Sequence, residues 1–197
     1  MTIKSVINNA CDILALDRFD TVYGNPKAQP LLRMAKEGGD EISRRVDWSS
    51  MLKTAAFAVS PAPIPNDYQR LIPGGGINTS AGEPIRPVTN GSQWAVLARV
   101  GTAQPYFFEG YTTFSFLPAS VGVGAQLLYV SRNWIKSGTS EKDDFGGDDD
   151  QILFPERLLE KNIAWRWKRQ QGLVYDDNLA EFEADLVQEI KADRGAQ

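Results

Sequence analysis

The chain has 197 residues, 42% of them hydrophobic and 23% charged, with a formal net charge of −4; such a length buries roughly 70% of the surface its unfolded form exposes. There is no histidine and a single cysteine, which removes the Ser-His and Cys-His catalytic pairings, the commonest zinc ligand, internal disulfides and thiolate metal clusters. No apolar run approaches the roughly 18 residues of a membrane span, the first residues lack a signal-peptide core, and a net-negative chain is a poor coat for nucleic acid.

In chain order, Ile3, Val6, Ile7, Ala10, Ile13 and Leu14 recur at helical spacing and predict a helix over 2–16, with Thr2 able to cap its first turn. Cys11 falls inside this set and is expected to be a buried small hydrophobe. Asp17 to Asn25 reads as a loop. Asn25 before Pro26 signals a helix start, and a second helix is expected from there to about Trp48. Its buried stripe is Leu31, Ala35, Gly38, Ile42 and Val46, with Gly39 beside it. A helical glycine costs about 1 kcal/mol against alanine, so close approach of another backbone is the expected reason for the pair.

Residues 50–135 hold eight of the eleven prolines. Lys53–Ser60, Tyr106–Glu109, Thr112–Leu117 and Ala125–Ser131 read as strands, and Glu109-Gly110 as a hairpin turn. Pro73–Gly76 and Val121–Gly124 read as exposed loops, and Ser92–Val100 as one short helix. Residues 136–150 read as an acidic linker. Two helices are expected after it, over about 151–171 and 177–194, split by Gly172. The order predicts an α+β protein. Residues 1–50 and 136–197 would make a four-helix core from the N- and C-terminal helices, and 51–135 an inserted small β-rich domain.

Five carboxylates, Asp143, Asp144, Asp148, Asp149 and Asp150, crowd into eight positions. They lack the alternating ligands, central glycine and terminal glutamate of a calcium-binding loop. Capping of the following helix, whose N-terminus carries partial positive charge, is the plainer reading. On the helix over 155–171, Leu158, Leu159, Ile163, Trp165 and Trp167 cover half the circumference, and Arg157, Lys161 and Lys168 form a basic stripe opposite. Arg166 and Arg169 fall in the apolar arc, where a guanidinium must meet a carboxylate or a subunit boundary.

Residues 155–171 carry five basic and two acidic groups, whereas 172–197 carry two basic and seven acidic ones. Helices of opposite sign suit pairing within or between subunits. The last helix has a narrow stripe of Leu179, Phe182, Leu186, Val187 and Ile190, which docks on its own core or on a neighbour. The alternative for Trp165-Arg166-Trp167-Lys168-Arg169 is nucleic-acid binding by aromatic stacking interleaved with cations. The run Gly74–Gly76 lacks the lysine and hydroxyl of a phosphate loop, and Gly122-x-Gly124 lacks the third glycine of a dinucleotide loop. Catalysis through carboxylates alone stays open as a hydrolase reading.

One family resemblance spans nearly the whole chain in a single order. It begins with Val6-Ile7-Asn8-Asn9-Ala10-Cys11-Asp12-Ile13-Leu14, Gln29-x-Leu31-Leu32 and Glu41-Ile42-x-Arg44-Arg45-x-Asp47-Trp48. Ile64-Pro65-x-Asp67-Tyr68-x-Arg70-Leu71-Ile72 and Tyr129-Val130-Ser131-Arg132-Asn133-Trp134 follow. The longest stretch is Asp148-Asp149-Asp150-x-Ile152-Leu153-Phe154-Pro155-Glu156-Arg157-Leu158-Leu159, continued by Trp165-Arg166-Trp167-Lys168 and Gly172-Leu173-x-Tyr175. Together these resemble the adaptor proteins of tailed-bacteriophage head-to-tail connectors. Gly38-Gly39 departs from the pattern, where relatives tend to carry polar helix formers.

The resemblance implies a virion protein of the neck, assembled in the host cytoplasm. It would form a closed ring, commonly of about twelve copies, beneath the portal protein. That ring would meet a tail or nozzle protein below and pass genomic DNA without reading its sequence, with no cofactor, metal, membrane or catalysed reaction. On this reading Arg157, Lys161, Arg166, Lys168, Arg169, Phe182, Leu186 and Ile190 belong to the subunit or portal interface.

Overall fold

A computed structural model of the chain describes residues 2–72 and 76–195, and it is mixed α+β. The helices are α1 (Ile3–Ile13), α2 (Gln29–Arg45), α3 (Gly91–Val100), α4 (Glu156–Gln170) and α5 (Asp176–Gly195). The strands are β1 (Leu52–Ala56), β2 (Ala62–Pro63), β3 (Tyr68–Leu71), β4 (Ile77–Asn78), β5 (Arg86–Val88), β6 (Tyr106–Glu109), β7 (Thr113–Leu117), β8 (Gln126–Ser131), β9 (Ile135–Ser137), β10 (Ser140–Lys142) and β11 (Gln151–Ile152). The chain divides into two compact units, Met1–Met51 with Arg132–Gln197, and Leu52–Ser131.

In the first unit α1, α2 and α5 each pack along α4. Thr2 and Ser5 cap α1 reciprocally: the Ser5 amide donates to Thr2 Oγ1 at 3.4 Å and the Thr2 amide to Ser5 Oγ at 3.1 Å. Ile3, Val6, Ile7, Ala10 and Cys11 are buried, as the spacing predicts, and burial pushes the Cys11 thiol up. Asn8 ties down the loop after α1, donating to the Phe19 carbonyl at 3.0 Å and accepting from the Phe19 amide at 2.8 Å.

Helix α2 starts at Gln29, three residues later than the Asn25-Pro26 signal predicts, with Pro30 in its first turn. Asn25 instead closes a turn, its Oδ1 accepting from the Lys27 amide at 3.0 Å and its carbonyl from Ala28 at 3.0 Å. The helix ends at Arg45, because Val46 is extended, and all five residues of its expected stripe are buried. The glycine pair is crowded by side chains rather than by a backbone. A Cβ on Gly38 would lie 2.3 Å from Asn162 Oδ1, and one on Gly39 would lie 2.1 Å from the Trp134 ring.

Residues 136–150 are not a linker. Strand β9 pairs antiparallel with β10 and β11, and Phe145 meets Trp134 edge-on at 5.3 Å. Phe154 lies beside both Trp134 (5.7 Å) and Trp48 (6.0 Å), making an aromatic cluster that four separate segments supply. An acidic run can fold here because Asp148 and Asp150 accept backbone amides and, at Asp150, Lys142, while Asp143, Asp144 and Asp149 stay at the surface.

In the second unit, β1, β3 and β4 all pair with β8, and a second sheet runs β2-β7-β6-β5. Strands β6 and β7 form the expected hairpin, closed by the Gly110 amide on the Thr113 carbonyl at 2.9 Å. Alternation puts Phe114 and Phe116 of β7 and Leu127 and Tyr129 of β8 into one core with Phe57, Ile77, Ile85 and Phe107. Val121–Gly124 is exposed only in part: a short 3-10 turn buries Gly122, where a Cβ would lie 2.4 Å from the Phe116 ring, while Val123 is 54% exposed. Pro73, Gly74 and Gly75 of the other expected loop lie outside the described residues. Helix α3 forms as expected over 91–100, yet none of its residues is buried.

Candidate functional site

Helix α4 turns Leu158, Leu159, Asn162, Ile163, Ala164 and Trp165 inward. Helix α5 takes up the predicted basic stripe, although Arg157 keeps most of its side chain in solvent. Lys161 reaches Glu181 at 2.5 Å and Asp185 at 2.6 Å, and Arg157 reaches Asp185 at 3.1 Å. Lys168 donates to Asn178 Oδ1 at 2.7 Å. Only 13% of the Lys161 side chain is exposed. Burial works against its charge, but the two carboxylates outweigh that and raise its pKa above the ordinary lysine value. The opposite-sign helices read from the sequence therefore pair within one chain.

The apolar stripe of α5 takes the same course. Phe182 and Leu186 are buried in their own unit, so neither is free to meet a partner, which corrects their assignment to an interface. Leu179 and Ile190 are half-buried and Val187 is exposed.

Arg166 meets carboxylates as its place in the apolar arc requires. Its Nε donates to Asn162 Oδ1 at 2.7 Å, its terminal nitrogens reach Glu37 at 3.3 Å and Glu41 at 2.5 Å, and its guanidinium lies 4.8 Å from the Trp165 ring centre. Glu41 continues to Arg45 at 3.2 Å, and Arg45 to Glu183 at 2.5 Å. One alternating network thus ties α4 through α2 to α5. Hydrogen bonding to Arg45 holds Glu183 below the ordinary carboxylate range, and Glu183 in turn raises Arg45.

Arg169 is exposed, contrary to its expected place in the arc, and makes no ion pair among the described residues. With Arg33 it lines an open groove of about 580 Å³ whose other walls include Pro26, Pro30, Met34, Glu37 and Trp165. For a nucleic-acid surface this is meagre. Trp165 is only 7% exposed, Arg166 is neutralised, and Lys168 is turned to α5.

The acidic cluster does not cap α4, whose N-cap position is Pro155 without a side-chain cap. The Asp148 carboxylate accepts from the Val22 amide at 3.0 Å and the Tyr23 amide at 2.6 Å. Asp150 is buried and accepts from Gly146 at 2.6 Å, Gly147 at 3.1 Å and Lys142 at 2.8 Å. Lys36 takes up Asp144 at 3.1 Å, and Arg132 takes up Asp143 at 3.5 Å. Among the described residues no group of three His, Cys, Asp or Glu side chains is arranged to hold a metal ion.

The sequence reading missed Glu37, Glu41 and Asn162, which hold Arg166, and Arg45, which links Glu41 to Glu183. Two signals were present: Glu37, Glu41 and Arg45 recur every four residues on α2, and Asn162 interrupts the apolar arc of α4. No helix of the described residues is long and apolar enough to cross a membrane. No protein-family model matches the chain, and no curated protein matches it.

Proposed function

We propose that the chain is a structural protein of a tailed-bacteriophage virion, a head-to-tail adaptor that assembles as a ring under the portal protein and continues the DNA channel toward the tail. In this reading the first unit is a four-helix core completed by both ends of the chain, and the second is an insertion between its halves. The ring forms in the host cytoplasm, stays in the neck of the virion, binds a tail or nozzle protein below, and carries no cofactor or reaction.

The observation that carries the reading is where the adaptor-like segments meet. The stretch at 148–159 is a junction: the Asp150 carbonyl accepts from the Ile3 amide at 2.7 Å, the Asp148 carboxylate holds the loop at Val22 and Tyr23, and Phe154 packs on Trp48 and Trp134. Segments near residues 3, 48, 134 and 154 thus act as one packing unit, which gives a physical reason for their sharing one sequence pattern. Deleting the chain from the phage that encodes it should leave heads that package DNA and lose it, without tails; intact tailed virions would contradict the proposal.

The second reading is a nucleic-acid-binding accessory protein using 165–169, and Arg169 with Arg33 at the open groove is the observation in its favour. A gel shift on short duplexes that weakens steeply with salt would support it over the adaptor.

A further inference from the structure

Helix α3 is apolar and almost unpartnered. Trp94 stacks on Phe108 of β6 at 5.6 Å, and Trp94 and Leu97 are half-buried, yet no residue of the helix is buried. Val96 and Val100, one turn apart, lie on another face and are 60% and 80% exposed. Arg99, next to Val100 in sequence, and Arg86 on β5, the strand against which the helix packs, are exposed and form no ion pair among the described residues.

A complementary feature sits at the turn between α4 and α5. Gly172 takes a left-handed conformation (φ 69°), with its amide on the Arg169 carbonyl at 3.2 Å and the Leu173 amide on Lys168 at 2.9 Å. That arrangement ends α4 and sends the chain outward. Leu173 and Val174 are left 51% and 80% exposed, and the exposed Asp176 and Asp177 follow, with no ion pair among the described residues. Two apolar side chains next to two unpaired anions match two apolar side chains with one unpaired cation on their helix and a second on the adjoining strand.

We infer that α3 of one copy receives the 172–177 turn of a second copy of this chain. Val96 and Val100 cover Leu173 and Val174, while Arg86 and Arg99 face Asp176 and Asp177. The two patches are built from different residues, and pairing them in one direction from copy to copy makes a head-to-tail contact, the kind that closes a ring when its rotation permits. The inference rests on the adaptor reading for its partner and adds the residues that make the lateral contact.

A photoreactive maleimide on Val100→Cys tests it on the full chain, with and without the portal protein, because Cys11 is the one native thiol and is buried. The expected product is a cross-link between two copies, mapped to 172–177. Arg99→Glu should lose that cross-link, and Asp177→Arg in the same protein should restore it. Rings on the portal whose cross-links fall elsewhere on the chain would overturn the inference and leave the adaptor reading standing. Coupling to the portal itself would give the patch to that partner and overturn it as well. Neither ring nor cross-link would overturn both.

Discussion

At the scale of single residues, the least tolerant positions are those where a small or charged group fits a buried neighbour. Alanine at Gly39 would gain about 1 kcal/mol of helix propensity. Its Cβ, however, would fall 2.1 Å from the fully buried Trp134 ring, and overpacking of this kind costs about 1–3 kcal/mol. Gly39→Ala should therefore lower stability in urea unfolding, and a rise would show that the ring can move aside. Asp150 is the other such position. Burial pushes its carboxyl up, but Lys142, the Gly146 and Gly147 amides and the Ser137 hydroxyl outweigh that and hold it below its ordinary value of 3.8. A depressed carboxyl contributes stability above its unfolded pKa and loses it as pH falls through the folded one. Asp150→Asn should thus cost about 2–4 kcal/mol at neutral pH and converge on the wild type in acid. A constant gap across pH would contradict the charge argument.

At the scale of elements, the seam between α4 and α5 is an ion-pair structure whose charges are satisfied at home. Removing Lys161 leaves Asp185, 16% exposed, with Arg157 as its remaining cation. Lys161→Met should cost about 1–3 kcal/mol, and Asp185→Asn in that background should recover part of the loss. An additive double mutant would place the energy elsewhere. Four of the five helices were legible from periodicity, because each turns apolar side chains at helical spacing toward its own unit; the helix expected from about 151 starts only at Glu156, since Gln151–Ile152 form β11. Helix α3 was also legible, although it only half-buries Trp94 and Leu97. The sheet of β9, β10 and β11 was not legible, since two- and three-residue strands carry no alternation and their acidic surroundings read as solvated. The seam was legible as two helices of opposite sign. Its closure within one chain was not, because complementary charge fits a neighbouring copy as well as a neighbouring helix. Arg166 was correctly marked as needing a carboxylate; Arg169 was not distinguishable from it, since a shift of about 60° around a helix separates a half-buried side chain from a free one.

At the scale of the whole molecule, copies can associate only through groups left unsatisfied in the single chain. Phe182, Leu186, Lys161 and Arg166 are spent internally, so reversing Arg166 should unfold the first unit rather than disrupt a ring selectively. Reversing exposed Arg169 should change stability by less than about 0.5 kcal/mol, so any effect of that variant on assembly reports on contact between molecules. Exposed charges at a contact are screened by salt, and assembly should weaken as ionic strength rises. The most direct test of the adaptor account is the mass of the complex formed when the purified chain is mixed with its portal protein. The account predicts one closed species, a portal ring carrying a matching ring of this chain. A chain that stays monomeric beside an unaltered portal would contradict it.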